Sequence, residues 1–560
     1  MIVKFIKKNK KVFFSILFVF LITLITGRTL FSNQLARTDD LELHGVRVAN
    51  YYLALKQGQF PPYWGPNLYY GFGYPIFAFS YHTPYLISTI FYILGFSVEQ
   101  STNMLLLSTL IIGSFGSFAL SYQKNKKHLL AITSSILYLS APYILMNYFV
   151  RGALGEITFI SLVPWVIWLI NMKKYAIKWW YKTISVITFV SITLSHPLSL
   201  IILAPIIFFY MMIIGFKKFS YSFYLSSIIS VLISSFAWLP MILEKKFTVS
   251  ATHSINQNFI SRFPNLITLF YSKWGYGGAD SSVINDVMPT TFGFSIILII
   301  LVSIFLILKT QDKEKIKKEI FWTTTFLISL FLMTPMSKNI WHISKVLPYT
   351  QYPWRLLWVS IFSAIVLINS SLFIKKTNKK TKTFIFSFIF LGAIFNISQF
   401  AKPLSYISNT DHQWKQHPSS STSDNELKPI WFNENDNLTL DKKIYLRTDD
   451  EITEYYPTNL IWTGSKMTYE IIAEQNSDVL QKTLYFPGWE VKVNGVETPI
   501  KYQDKQFKGR VIFPISKGKN NIEVKITNNT FAKKLSIYLT VSGIILWGIL
   551  IITPLKKFKF

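Results

Sequence analysis

Long apolar runs, many of roughly 17 to 22 residues, recur along most of the chain, and such runs suffice for a helix to cross a hydrocarbon core of about 30 Å. They cover residues 12–30, 102–121, 129–146, 157–170, 184–194, 198–214, 221–243, 292–308, 321–333, 356–373, 384–397 and 535–552. Short basic stretches lie between them: Lys124, Lys126 and Lys127; Lys173, Lys174 and Lys178; Lys217 and Lys218; residues 309–318; residues 375–380; residues 556–559. If the runs alternate in direction, every strongly basic short loop falls on one side, the asymmetry that sets topology in membrane proteins. The pattern predicts about twelve spans with both termini cytoplasmic. Residues 1–11 are rich in Lys, which also suits a cleaved signal peptide. The following run is long for that and lacks a small-x-small cleavage site, which favours an uncleaved first span.

Residues 76–96 are apolar but interrupted by His82 and Pro84. A crossing here would place the Lys124 cluster outside, so this stretch reads as juxtamembrane or re-entrant on the outer face, where irregular backbone must be covered by protein or water. From residue 401 to 529 the character changes to polar, with strand-like alternation over residues 467–472, 489–493, 510–515 and 521–526. Asn494 and Gly495 between two alternating runs mark a tight hairpin. Residues 410–437 read as a loose linker. The expected organisation is a helical membrane domain over residues 1–400, an extracytoplasmic β-sandwich-like domain over 401–531, and a last helix with a basic tail over 532–560.

Composition sharpens this reading. The chain has 560 residues, 51% of them apolar, and a formal net charge of +29. Such a charge would suit nucleic acid if it were clustered on a soluble surface, but here it sits in short loops between apolar runs, where it sets topology. The absence of cysteine excludes a disulfide framework and a thiolate metal site. The excess of Lys, Ile, Phe and Asn fits an AT-rich bacterial genome, hence a bacterial cytoplasmic membrane.

The stretch best suited to chemistry is residues 38–84, within an outer loop spanning 31–100. It opens with Asp39, Asp40, Glu42, His44 and Arg47 and continues into Trp64, Tyr69, Tyr70 and a series of Pro and Gly. Ionisable groups at a membrane boundary, roofed by aromatic loops, suit the handling of a polar molecule beside lipid. The predicted topology gathers His82, Arg151, Glu156, His196 and Arg355 on the same face, along with the loop carrying Arg262, Trp274 and Asp280. Asp39 or Asp40 suits a general base that takes a proton from an attacking hydroxyl; either equally suits a solvated or helix-capping carboxylate. Arg355 and Arg151 suit a phosphate, since a guanidinium binds two of its oxygens; either also suits an interfacial anchor, and Arg151 a pair with Glu156. His82 and His196 fit structural roles as well as binding ones. Trp64, Tyr69 and Tyr70 suit stacking on sugar rings or an interfacial belt. A divalent cation on His44, Asp39, Asp40 and Glu42 is the metal alternative, although the spacing lacks a zinc signature.

An acidic first outer loop followed by an aromatic, Pro-rich region resembles the GT-C superfamily of polytopic glycosyltransferases. More narrowly, PPYWGPNLYYGFGYP over residues 61–75, YFVRGALGE over 148–156, Ser195-His196-Pro197, YPWR over 352–355 and YFPGWEVKVNG over 485–495 resemble YfhO-type membrane proteins and the related set labelled "6-pyruvoyl-tetrahydropterin synthase-related". No pterin chemistry follows from that label. The resemblance implies transfer of a sugar from an undecaprenyl-phosphate carrier to an extracytoplasmic glycopolymer or lipid, with the catalytic acid of the first outer loop at Asp39 or Asp40. Glu156 is the nearest match to the second acidic position of some members. Two rival classes remain: a flippase for lipid-linked glycans, which would show charges at span centres or repeated halves, and a non-catalytic envelope-assembly protein, which would tolerate loss of Asp39, Asp40 and Arg355.

Overall fold

The computed structural model describes residues 10–216, 220–251, 257–276, 288–311, 316–422, 424–434, 442–449 and 451–553. Lys217, Lys218, Asp280 and the basic tail at 556–559 lie outside the described residues. The chain opens with α1 (Lys10–Thr26), α2 (Leu41–Lys56) and α3 (Thr83–Ile93), then α4 (Val98–Asn125), α5 (His128–Ser140), α6 (Pro142–Met146) and α7 (Leu154–Asn171). It continues through α8 (Trp179–Thr193), α9 (Pro197–Ile214), α10 (Tyr221–Ile233), α11 (Ser235–Glu244), α12 (Leu266–Phe270), α13 (Phe294–Leu308) and α14 (Lys317–Leu332). The last helices are α15 (Lys338–Ile343), α16 (Leu357–Ile368), α17 (Ser371–Lys376), α18 (Lys379–Phe400), α19 (Asp411–Lys415) and α20 (Phe531–Ile552).

Every apolar run of the sequence is helical, but the runs are not all straight rods. Among the described residues, five helices (α4, α7, α9, α18 and α20) are long and apolar enough to cross a membrane, or up to eight if each bent pair counts as one span. The bends have visible causes. α5 and α6 meet at 44° where Ala141 is extended ahead of Pro142, because proline disfavours a helical predecessor. Thr334, ahead of Pro335, is extended in the same way, and there the chain turns by 86° after α14. The run at 221–243 is two helices, α10 and α11, bent by 55°. α3, at about 1.5 Å per residue, is too short to cross and packs against α2 and α4. The start of α4 is fixed by Ser97 and Gln100, whose side chains cap each other's backbone N–H.

The C-terminal region forms two antiparallel sheets. One has the order β10 (Arg510–Ile515), β7 (Ser477–Leu484), β3 (Ile444–Arg447), β4 (Ile452–Glu454). The other has the order β5 (Thr458–Trp462), β6 (Lys466–Ala473), β11 (Gly518–Ile526), β8 (Trp489–Val493), β9 (Val496–Thr498). Asn494 and Gly495 both take positive φ and close the β8–β9 hairpin, with Val493 opposite Val496, as their sequence predicts. The buried Tyr469 hydroxyl on β6 donates to Gln481 Oε1 on β7 at 2.7 Å, joining the sheets.

The stretch expected to be a loose linker is instead a packed strap over the first loop, within its described residues. β1 (Leu35–Ala36) pairs with β2 (Tyr406–Ile407). Trp414 on α19 is fully buried, and its indole donates to Glu99 Oε1 at 2.8 Å. The amides of Tyr69 and Tyr70 donate to the Ser419 and Pro418 carbonyls, and Leu427 N donates to the Tyr74 hydroxyl at 2.9 Å. Polar composition misled here because the strap satisfies its groups on protein rather than on water.

Candidate functional site

A cavity of about 380 Å³ opens between the first loop, α7, α9, the segment before α16 and the strap. Seven of the ionisable side chains singled out in the sequence line it: Asp40, His44, Arg47, Arg151, Glu156, His196 and Arg355.

Local backbone geometry brings them together. Residues 147–151 form a π turn ended by Gly152 in the left-handed region, φ +71°. A Cβ there would lie 2.2 Å from Thr38 Oγ1 and 3.0 Å from Leu41 N, so only glycine lets the first loop lie on this turn. Asp39 N donates to Val150 O at 3.1 Å and Asp40 N to Arg151 O at 2.8 Å. Asp40 occupies the N-cap position of α2 yet its carboxylate makes no capping bond. Thr38 Oγ1 accepts from Leu41 N instead, at 3.1 Å, leaving the Asp40 carboxylate turned to the cavity and acting electrostatically on Arg47 and Arg151. Asp39, the preceding residue, is exposed and is not among the residues that line the cavity. The surrounding protein and then the Asp40 charge push its carboxyl up to about 6 against the opposing pull of Arg151.

The floor is a buried charge cluster. Glu156, fully buried on the first turn of α7, accepts from Arg151 Nη1 at 2.9 Å and from the Tyr143 hydroxyl, with Arg355 Nε 3.4 Å away. Tyr352 and Trp354 stack at 4.9 Å; Arg151 lies over the Trp354 ring at 4.5 Å and Arg355 over Tyr352 at 4.8 Å. The alternation of the YPWR stretch thus supplies one aromatic face to each guanidinium. Arg355 Nη1 is committed to Thr350 O at 2.9 Å and Gln351 Oε1 at 2.8 Å, whereas its Nε is buried without a hydrogen-bond partner.

Burial disfavours the charged form of both cavity histidines. Burial, with Arg47 and His196 adding, holds His44 well below its usual range, and its two ring nitrogens lie 2.9 Å from the Tyr85 hydroxyl and 3.1 Å from that of Tyr81. Burial, then Arg355, lowers His196 to about 3; its Nδ1 caps α9 by accepting from Ser199 N at 3.2 Å. Arg47 donates to Ser421 Oγ at 3.2 Å and to the Ser421 carbonyl, tying α2 to the strap.

Seven sequence candidates lie elsewhere. His82 is buried behind the cavity with Nδ1 3.1 Å from the Tyr51 hydroxyl, and burial lowers it to about 4. Trp64 is fully buried and meets Trp489 edge-on at 5.4 Å, joining the first loop to the β region rather than offering a face to a sugar. Tyr69 is buried with its hydroxyl donating to Glu434 Oε1, and Tyr70 is exposed on the strap side. Glu42 is exposed too, Trp274 stacks on Phe400 at 4.4 Å, and Arg262 lies over Tyr352 at 5.9 Å. With Glu42 turned away and both His44 nitrogens facing tyrosines, the metal-ligand alternative does not fit; among the described residues no three His, Asp or Glu side chains form a metal-binding group. Sequence reasoning missed Tyr81, Gln351, Thr422 and Glu426, which line the cavity. The last two sit in the strap, whose one readable sign of packing was Trp414 in a polar stretch.

Comparison with known proteins places the chain among relatives. It is 27% identical over 291 residues to a protein of Lactococcus lactis subsp. cremoris, an alignment covering 48% of this chain and 45% of that protein. Among solved structures it is similar to the arabinofuranosyltransferase AftD from Mycobacteria, with TM-score 0.43, 13% identity, and coverage of 70% of this chain and 27% of that one. It is also similar to the Archaeoglobus fulgidus oligosaccharyltransferase in complex with Zn and sulfate, with TM-score 0.41, 12% identity, and coverage of 75% and 58%. The chain therefore spans about half the length of the relative from Lactococcus and just over a quarter of AftD. Residues 79–403, more than half of the sequence, match the family described as 6-pyruvoyl-tetrahydropterin synthase related domain, membrane protein; the chain belongs to that family of membrane proteins.

Proposed function

We propose that this protein is a glycosyltransferase of the bacterial cytoplasmic membrane that moves a sugar from a polyprenyl-phosphate carrier to an extracytoplasmic glycan or lipid acceptor. About twelve crossings with both termini cytoplasmic would put the cavity and the sandwich-like β region outside. The observation that carries the reading is a carboxylate without a capping role, Asp40, sharing one cavity with the two aromatic-backed guanidinium groups of Arg151 and Arg355. In the step proposed, the acceptor hydroxyl attacks the anomeric carbon and its proton passes to Asp40 or Asp39. The bond from that carbon to the phosphate oxygen breaks, the electron pair leaves on the lipid phosphate, and Arg355 with Arg151 stabilises the developing charge. Direct attack from the face opposite the phosphate inverts the anomeric centre. Arg355 is the better phosphate ligand because Arg151 is hydrogen-bonded to Glu156 at 2.9 Å, while Arg355 Nε meets that carboxylate only as a longer ion pair at 3.4 Å, without a hydrogen bond.

The test compares, by mass, the wall polymers and glycolipids of cells carrying the wild-type gene, a deletion, Asp39→Asn, Asp40→Asn, or Arg355→Gln. Loss of one hexose-sized mass in the deletion, in Arg355→Gln and in one aspartate variant is expected. Loss in the deletion alone would overturn the catalytic assignment and move the protein to transport or scaffolding.

A further inference from the structure

A second polar cleft, of about 220 Å³, lies where the far end of α2 meets the β region and the first turn of α20. Its lining includes Gln57, Gln59, Tyr63, Lys466, Lys525 and Lys533. α2 therefore carries the main cavity at its N-terminus and this cleft past its C-terminus, about 20 Å apart at 1.5 Å per residue.

The cleft's charge is one-sided. No carboxylate lines it among the described residues. Lys533 is buried, donates to Pro487 O at 3.1 Å, and rests over the Tyr63 ring at 5.2 Å. Its nearest acid, Glu244, is 4.0 Å away. Lys466 is paired with Glu523 at 3.0 Å, and Lys525 makes no ion pair of its own among the described residues. Around these ammonium groups stand amides and hydroxyls. Gln59 Nε2 donates to Ser465 Oγ at 2.7 Å, Ser465 donates to Gln57 Oε1, and Asn528 lies at the edge. The volume is about seven times that of a water molecule in the liquid, more than a bare phosphate or carboxylate fills.

We infer that this cleft binds an anionic sugar residue, its phosphate or carboxylate on Lys525 and Lys533 and its hydroxyls on the Gln57 and Asn528 amides. The inference stands apart from the transferase reading, since it concerns a binding site remote from Asp40 and Arg355. A basic, hydrogen-bond-rich recess beside the β region suits a charged glycan, because a bare ion would leave the amides idle and a neutral sugar would make no use of the Lys525 and Lys533 ammonium groups.

The chain has no cysteine, so Lys56→Cys, at an exposed position beside Gln57, gives a unique site for a trifluoromethyl reporter. The full chain in phosphatidylcholine nanodiscs is titrated by ¹⁹F NMR with glucose 6-phosphate, glucuronate, glucose and inorganic phosphate. A saturable shift is expected with glucose 6-phosphate or glucuronate, about tenfold weaker with glucose or inorganic phosphate, and about tenfold weaker in Lys525→Gln and in Gln57→Ala. No saturable shift, or an unchanged one in both variants, would overturn the inference. Equal binding of inorganic phosphate would remove the sugar from it. A shift produced by phosphatidylglycerol in the disc that glucose 6-phosphate cannot displace would assign the cleft to a lipid headgroup instead.

Discussion

Glu156→Gln is the sharpest probe of the buried cluster. The carboxylate contacts Arg151 Nη1 at 2.9 Å and lies 3.4 Å from Arg355 Nε, with none of its side chain exposed. At an effective dielectric of about 20, each of these contacts amounts to about 5 to 6 kcal/mol of Coulomb attraction. Removing the charge also removes the several kcal/mol spent on desolvating it. Glutamine keeps the shape and an acceptor for Arg151 but leaves two neighbouring guanidinium groups unneutralised, so the net expected destabilisation is about 3 to 5 kcal/mol. Denaturant unfolding of the detergent-solubilised protein, followed by tryptophan fluorescence, measures it. Because the cost is an uncompensated charge rather than a lost shape, adding Arg151→Gln should recover about 1 to 3 kcal/mol. A single variant within about 0.5 kcal/mol of wild type, or a double variant with no recovery, would refute the view that Glu156 neutralises this pair.

Two further outcomes follow from the geometry. If Asp39 is the base, its raised carboxyl means that transfer falls as pH drops through about 6, since protonation removes the acceptor; Asp40→Asn, which removes a charge that raises Asp39, moves this limb to lower pH. A pH profile flat through that range while Asp40→Asn is inactive would give the role to Asp40. Trp414→Ala should cost about 3 to 5 kcal/mol, because it empties a fully buried site and removes a hydrogen bond from the buried Glu99; faster protease cleavage near residue 420 reads the loosened strap, and unchanged cleavage would count against the strap as a cavity wall.

Hydropathy alone located the apolar helices, because an apolar run of sufficient length has few alternatives to a helix in lipid, but it did not show α2, which carries His44 and Arg47. Asn494 and Gly495 determined their hairpin by backbone preference, which is local. The loop charges gathered Asp40, His44, Arg47, Arg151, Glu156, His196 and Arg355 on one predicted face, and those seven line one cavity. What the sequence could not decide was pairing. Glu156 and Arg355 are far apart in the chain, and nothing local tells a guanidinium whether its counter-charge will come from its own loop or from a distant one. The same holds for Trp64, which resembles a sugar platform in sequence but is buried against Trp489, and for the described residues of 410–434, polar yet packed, because hydrogen bonds to protein replace those to water. Composition reports how much apolar surface a segment must bury; only the tertiary fold decides what covers it and which charges are left facing a ligand.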